Sequence, residues 1–330
     1  MLSNPNHLKL AFSGLRAWAN GKQLHMSLSA SERDFMARRR IETAFEDFSA
    51  PTQFQCLYRN VFERQISATD TVRKDLKVLD VRSRLYKGAA VVEQVLGGEP
   101  FSLMRDVDLI VPPDCGAKAR AVLSHHGFRQ ADFDIETRCL RETDHDRVAA
   151  YEANSYELYA FSRIERLPLS PELADCPQLW QRAPIWHDGD AVLVLVTIDV
   201  HVRAAKDIPA DYLWTGPEDH SFIDQSIEAW LLATRYYLDL VRQKERPVLR
   251  DLFYLARLLP KVDLDRCLAH AVRHDTVPAF YYTYNFLQAA GVPVEPLHPD
   301  VLLKGNRKND FGWQYGKLAG TLDAAPPVAA

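Results

Sequence analysis

The chain has no Cys-x-x-Cys pair, no long apolar run, no basic surplus and no Gly-rich phosphate loop. Each gap sets a class of protein aside. Its 5 cysteines (Cys56, Cys115, Cys139, Cys176, Cys267) are odd in number and widely spaced, which gives neither a disulfide framework nor zinc-finger spacing. The longest apolar stretch, Ala191 to Ile198, is too short to span a bilayer, which takes about 20 residues. Met1 to Leu10 lacks the basic-then-apolar order of a secretory signal, so a reducing, cytoplasmic setting without a membrane partner is expected. A net charge of −4 supplies no global field for nucleic acid, and long nucleic acid is not an expected partner.

What is present is a globular composition, 47% hydrophobic and 25% charged over 330 residues, enough for more than one domain. Residues 1–75 read as an N-terminal helical segment. Ser29-Ala30-Ser31-Glu32 has the capping pattern of a helix start, and the 49–52 break precedes a segment ending near Ile66. A further helical run is expected from Ser67 to about Asp80. The basic clusters Arg38-Arg39-Arg40 and Lys304, Arg307, Lys308 read as solvated faces or terminal turns.

Residues 76–216 change character. Ser83 to Tyr86 is short and mixed, Ala89 to Leu96 is helical, and Gly97-Gly98-Glu99-Pro100 is a turn signal. Leu109-Ile110-Val111 reads as a strand stopped by Pro112-Pro113, with Asp114 able to cap a helix over Ala117 to His126 that Gly127 closes. Tyr151 to Tyr159 alternates loosely as a strand would, and Ala191 to Ile198 has a buried-strand composition. The Pro-rich Leu167–Pro184 stretch reads as an excursion between strands. Residues 217–320 read as a C-terminal helical domain, and 321–330 as a disordered tail. This order implies an α/β (α+β) protein with a mixed sheet.

Three short features carry the chemistry. In Arg105-Asp106-Val107-Asp108-Leu109-Ile110-Val111, strand alternation puts Asp106 and Asp108 on one face, where two carboxylates repel unless a cation joins them. Such a pair suits a hard divalent cation, Mg2+ or Mn2+. Asp199, in Ile198-Asp199-Val200-His201, ends an apolar strand and would add a third carboxylate if the two strands are neighbours. His201 shares its face, either supporting it or as a structural histidine. In Leu85-Tyr86-Lys87-Gly88-Ala89-Ala90, Gly88 permits close approach, the helix start offers N–H groups to an anion, and Lys87 can neutralise a triphosphate. This is not a Walker loop.

Taken in order, Lys87-Gly88, the Asp106-Val107-Asp108 strand, Gly127-Phe128, Ile198-Asp199-Val200-His201 and the Arg250-Asp251 helix resemble a bacterial uncharacterised nucleotidyltransferase family of the polymerase-beta-like nucleotidyltransferase superfamily. The resemblance spans roughly residues 70 to 295. It implies a polymerase-beta-like core, with Asp106, Asp108 and Asp199 as metal-binding and catalytic residues. Lys87, Gly88 and Arg105 would hold a nucleoside triphosphate, ATP foremost. The implied reaction moves a nucleoside monophosphate to a small-molecule, peptide or protein acceptor. Ala89 departs from the serine the superfamily usually carries after its glycine, which favours the alternative of a non-catalytic accessory or interaction protein that keeps the fold. A metal-dependent phosphohydrolase built on the same aspartates is a third reading. The aromatic residues Trp230, Tyr236, Tyr237, Tyr281, Tyr282 and Tyr284 read as helical core, with a base-stacking wall as the functional option. His125-His126 reads as a helix-end complement to the dipole, and His145 as part of a polar loop.

Overall fold

A computed structural model describes residues 5–22, 28–45, 52–169, 184–205, 208–214, 220–241, 249–305 and 310. Its helices are α1 (Pro5–Ala19), α2 (Ala30–Arg38), α3 (Gln53–Val78), α4 (Lys87–Leu96), α5 (Gly116–His125), α6 (His145–Asn154), α7 (Gln225–Val241), α8 (Arg250–Leu258), α9 (Leu264–Arg273) and α10 (Val277–Ala289). Its strands are β1 (Arg84–Leu85), β2 (Val107–Ile110), β3 (Arg129–Asp134), β4 (Cys139–Glu142), β5 (Phe161–Pro168), β6 (Ile185–Asp188) and β7 (Ala191–His201). The protein is a mixed α/β chain with an open mixed sheet. It divides into two compact units, one of residues 56–223 and the other of 1–55 with 224–330.

In the first unit the sheet runs β1-β2-β7-β5-β3-β4, with β6 also paired to β7. The arrangement follows from the length of β7. One of its edges pairs antiparallel with β5 over Ala191 to Ile198, and the other is shared. There β6 covers Ala191 to Val194, and β2 pairs parallel with Ile198 to His201. Val192, Val194, Val196, Ile198 and Val200 alternate onto one face, each fully buried, and make the hydrophobic layer that fixes the register. The opposite face carries Thr197, Asp199 and His201. Thr197 meets Ser162 of β5 at 3.0 Å, hydroxyl to hydroxyl, so polar groups on this face are paired across the sheet.

Several local expectations need correction. Ser67 does not start a new helix, because α3 runs unbroken from Gln53 to Val78. The Thr69 and Thr71 hydroxyls donate to the Gln65 and Ser67 carbonyls, so these polar side chains bond back within the helix instead of ending it. The Tyr151–Tyr159 stretch is not a strand. Asp144 accepts from the Asp146 and Arg147 amides and starts α6, which places His145 in a helix, not a loop. Asp114 does not cap α5; it lies in the 3-10 turn Pro113–Cys115 that leads into the helix. Gly97 and Gly127 close α4 and α5 with φ of 64° and 77°, as their turns require. Most of the 49–52 break, most of the Leu167–Pro184 excursion and the 321–330 tail lie outside the described residues. Among the described residues, no helix is long and apolar enough to cross a membrane.

In the second unit the Ser29–Glu32 capping box forms as the sequence implies, the Ser29 amide donating to Glu32 at 2.7 Å. The Arg38-Arg39-Arg40 run is the terminal turn of α2, with Arg39 at its C-cap, but Arg39 is not solvated. It is buried, with its guanidinium 5.2 Å from the Phe35 ring centroid. The Trp18 indole donates to the Phe253 carbonyl at 3.1 Å, and Trp230, Tyr236, Tyr237 and Tyr284 are buried in the core, as the helical-core reading expects. Gly14 of α1 lies against the Phe45 ring, where a Cβ would meet ring carbons. Gly14→Ala is therefore expected to cost about 1–3 kcal/mol, seen as a lowered Tm, despite alanine's better helix propensity. A Tm at or above the parent's would refute that packing.

Candidate metal and nucleotide site

Parallel pairing of β2 and β7 sets Asp108 beside Asp199 and Ile110 beside His201. Residues paired this way project to the same face, and neighbouring strands lie about 4.8 Å apart. The sheet thus brings together two of the three expected carboxylates, 91 residues apart in sequence (199 − 108). Asp106, just before β2, is part of the same electrostatic group, since its charge acts on Asp199.

The turn between β1 and α4 closes over this pair. The Tyr86 amide donates to the Asp108 carbonyl at 3.2 Å, which fastens the turn to β2. Lys87 follows at the first position of α4, and its Nζ lies 2.6 Å from Asp108 Oδ1. The backbone here departs from the expectation that Gly88 supplies the unusual conformation. Lys87 itself is left-handed, with φ of 56°, while Gly88 is buried in the helix. A non-glycine residue in that region costs about 1 kcal/mol or more and marks a place where the surroundings dictate the backbone.

His201 completes the arrangement. Its ring is fully buried, edge-on to Tyr86 with centroids 4.8 Å apart and stacked on Tyr156 at 5.3 Å. Nε2 lies 2.9 Å from Asp108 Oδ1 and 3.3 Å from Lys87 Nζ. Burial, with the Lys87 charge, pushes the imidazole pKa down against the pull of Asp108 and Glu157, so the ring is neutral. A carboxylate oxygen at that distance calls for the proton on Nε2, which then donates to Asp108. Nδ1 faces Glu157 Oε2 at 3.3 Å without hydrogen-bond geometry.

Glu157 is the residue that sequence reading misses. It follows α6, its backbone bridges to His201 of β7, and its Oε1 accepts from the Tyr151 hydroxyl at 2.5 Å. Burial, then this bond to Glu157, raises Tyr151 to about 12, so the phenol stays a donor. Only the contact with a distant strand reveals Glu157, since the Tyr-Glu dipeptide itself carries no motif. Arg105 is exposed, and among the described residues no hydrogen bond or ion pair ties it to the carboxylates. His126 is drawn elsewhere, to Asp75 at 2.8 Å.

The two paired aspartates have opposite electrostatics. Burial would raise Asp108, but Lys87 and His201 outweigh it and hold the carboxyl well below the usual range. Among the described residues, Asp199 has no such hydrogen-bonded partners. Burial, then the charges of Asp106, Asp108 and Glu157, push it up to about 8, against a smaller opposing pull from Lys87. Among the described residues, no three of His, Cys, Asp and Glu already converge in ligating geometry. The donor set nevertheless suits a hard divalent cation: carboxylate oxygens lie on one face, and burial followed by the neighbouring negative charges pushes Asp199 up.

The folded pKa of Asp199, about 8, stands above its unfolded value of about 3.9. Its contribution is complete below about pH 4 and is lost as pH rises through about 8, because the folded state keeps a proton that the unfolded state has released. Asp199→Asn removes that loss. Without divalent cations the variant should be more stable than the parent by roughly a few kcal/mol near pH 9, and the gap should shrink towards pH 5. Urea melts at both pH values decide it; parallel stability curves would contradict the assigned environment.

Compared with known proteins, the chain matches no family model, no curated protein and no solved structure.

Proposed function

We propose that the unit holding Asp106, Asp108 and Asp199 is a polymerase-beta-like nucleotidyltransferase core. It would move a nucleoside monophosphate from a nucleoside triphosphate, ATP foremost, to a small-molecule, peptide or protein acceptor. The observation that carries this reading is the register of Asp108 with Asp199, which gathers carboxylates that repel one another unless positive charge is added. Asp106, Asp108 and Asp199 would hold Mg2+ or Mn2+, which would supply charge neutralisation for the phosphates and their transition state.

The remaining roles belong to the chain. Lys87 leaves Asp108 and turns to the triphosphate, near the first N–H groups of α4, which favour an anion. His201 keeps Asp108 oriented through Nε2, while Glu157 and Tyr151 stand behind the ring. Asp199, relieved of its proton by added positive charge, accepts the proton of the acceptor hydroxyl. The acceptor oxygen bonds to the α-phosphorus, the bond from that phosphorus to the α–β bridging oxygen breaks, and pyrophosphate leaves. Arg105 is placed on the departing phosphates by analogy alone.

A non-catalytic accessory protein is the second reading. What favours it is that Lys87 and His201 both occupy Asp108 Oδ1, and that Ala89 stands where the superfamily places serine. Titration of each nucleoside triphosphate with Mg2+, paired with an assay for pyrophosphate release, separates the two. The enzyme reading requires Mg2+-dependent binding and release that disappear in the Asp106→Ala/Asp108→Ala variant. Absence of binding in the parent, or unchanged binding and turnover in that variant, would sink it.

A further inference from the structure

The Arg38-Arg39-Arg40 run and the Arg250-Asp251 pair are given no chemical role in the reading above, yet the fold of the second unit joins them. The Leu249 amide donates to the Arg39 carbonyl at 3.1 Å, holding the end of α2 against the start of α8. From α7, Arg235 donates to Asp251 Oδ2 through Nε at 3.1 Å and Nη2 at 2.6 Å. The other carboxylate oxygen, Oδ1, is buried and accepts no hydrogen bond from the described residues, with Arg250 Nε 3.6 Å away. Arg250 Nε and Nη1 are also buried and donate no hydrogen bond among the described residues, and the same holds for the Tyr236 hydroxyl. Arg250 is 5% exposed, Asp251 3% and Tyr236 2%, so bulk water does not satisfy them.

Protonation states narrow what could. Burial would raise the Asp251 carboxyl, but Arg235, Arg250 and Arg40 hold it below its usual range, so Oδ1 is an ionised acceptor. Burial, then the Asp251 charge, pushes the Tyr236 phenol up, so it is a donor. The unmet demand is therefore donors on Arg250 and Tyr236 together with one acceptor on Asp251. Buried groups of this kind are rarely left unpaired. A single water can accept two hydrogen bonds and brings no charge to offset the guanidinium groups. An oxyanion that still carries one proton fits better: its oxygens accept from Arg250 and Tyr236, and its hydroxyl donates to Asp251. The Arg235 side chain is 34% exposed and gives the cluster a side open to solvent.

We propose that Arg250, Tyr236 and Asp251, with Arg39, Arg40 and Arg235 around them, form a binding site for a monohydrogen-phosphate group, either inorganic phosphate or a small phosphomonoester. The site lies in the unit that does not contain Asp106, Asp108 and Asp199. It stands whether or not the carboxylates are catalytic.

Isothermal titration of the full chain near pH 7, without divalent cations, tests it with inorganic phosphate, glycerol phosphate and sulfate. Inorganic phosphate should bind saturably. Sulfate, which has no proton to give Asp251, should bind about a hundredfold more weakly. Binding of glycerol phosphate as tight as that of inorganic phosphate assigns the site to monoesters; binding of inorganic phosphate alone assigns it to the free ion. The Asp106→Ala/Asp108→Ala variant should bind phosphate like the parent. Tyr236→Phe should weaken binding about tenfold, and Arg250→Gln should abolish it. If Arg250→Gln does not fold, Tyr236→Phe, which only removes a hydroxyl, decides the matter. No saturable phosphate binding by the parent, equal affinity for phosphate and sulfate, or unaltered affinity in Tyr236→Phe would overturn the proposal.

Discussion

Replacing Asp106 and Asp108 together with alanine is expected to lower nucleotidyl transfer by about 10³-fold or more, a loss of several kcal/mol of transition-state stabilisation. The reason is positional. Asp108 pairs beside Asp199 and the charge of Asp106 acts on it; in the proposed reaction Asp199 by itself would not gather the positive charge that a departing pyrophosphate demands. Asp106→Ala alone separates chemistry from folding. Lys87 and His201 both bind Asp108 Oδ1, so this single variant leaves those contacts in place. It should retain the parent's circular dichroism and melting behaviour while losing most of the turnover. Full turnover in a folded Asp106→Ala protein would remove Asp106 from the catalytic set.

Lys87→Met is the second large effect, and here the sign depends on the cation. Lys87 Nζ sits 2.6 Å from Asp108 Oδ1, with side-chain exposures of 13% and 11%. Breaking a pair this buried by removing one partner costs about 3–5 kcal/mol, because the other charge is left uncompensated. Methionine preserves much of the stem, and as a non-glycine residue it faces the same left-handed backbone, so the loss reports the charge. Millimolar Mg2+ should restore part of that stability by taking over Asp108. Affinity for nucleoside triphosphate should fall even in the presence of Mg2+. Equal stability of variant and parent without metal would show that the ion pair contributes nothing. Equal nucleotide affinity would leave Lys87 a structural residue.

How much of this was legible in the sequence depends on the range of the interaction. The ends of β2 are local: Pro112-Pro113 stops the chain, and the alternation of Asp106, Val107 and Asp108 sorts the two faces. The apolar run opening β7 announces itself through composition. Its full extent does not, because Asp199 and His201 look like strand-ending residues until β2 pairs with them. The capping box at Ser29 and the glycines closing α4 and α5 were also legible, since a cap is decided within four residues. What was lost is what the rest of the fold decides. Glu157 enters the site through a bridge to β7, and the stretch around it looked like a strand because Tyr151, Tyr156 and Tyr159 favour one. Asp144 capped a helix there instead. Arg39 looks solvated among three arginines, yet its guanidinium lies over the Phe35 ring and its carbonyl accepts from the Leu249 amide. Lys87 was expected to wait for a triphosphate, and its pairing with Asp108 could be known only once α4 and β2 were placed together.

In the proposed function, Asp199 and the aspartates beside it accept a divalent cation in exchange for a proton. Calorimetric titration of Mg2+ and Mn2+ into the full chain near pH 7, repeated in buffers of different ionisation enthalpy, measures both the binding and the proton released. The parent should bind a cation with release of close to one proton, and more tightly as pH rises towards about 8. Asp199→Asn should bind at least about tenfold more weakly and release none. No binding of either cation by the parent, or the same affinity and proton release in Asp199→Asn, would contradict the account.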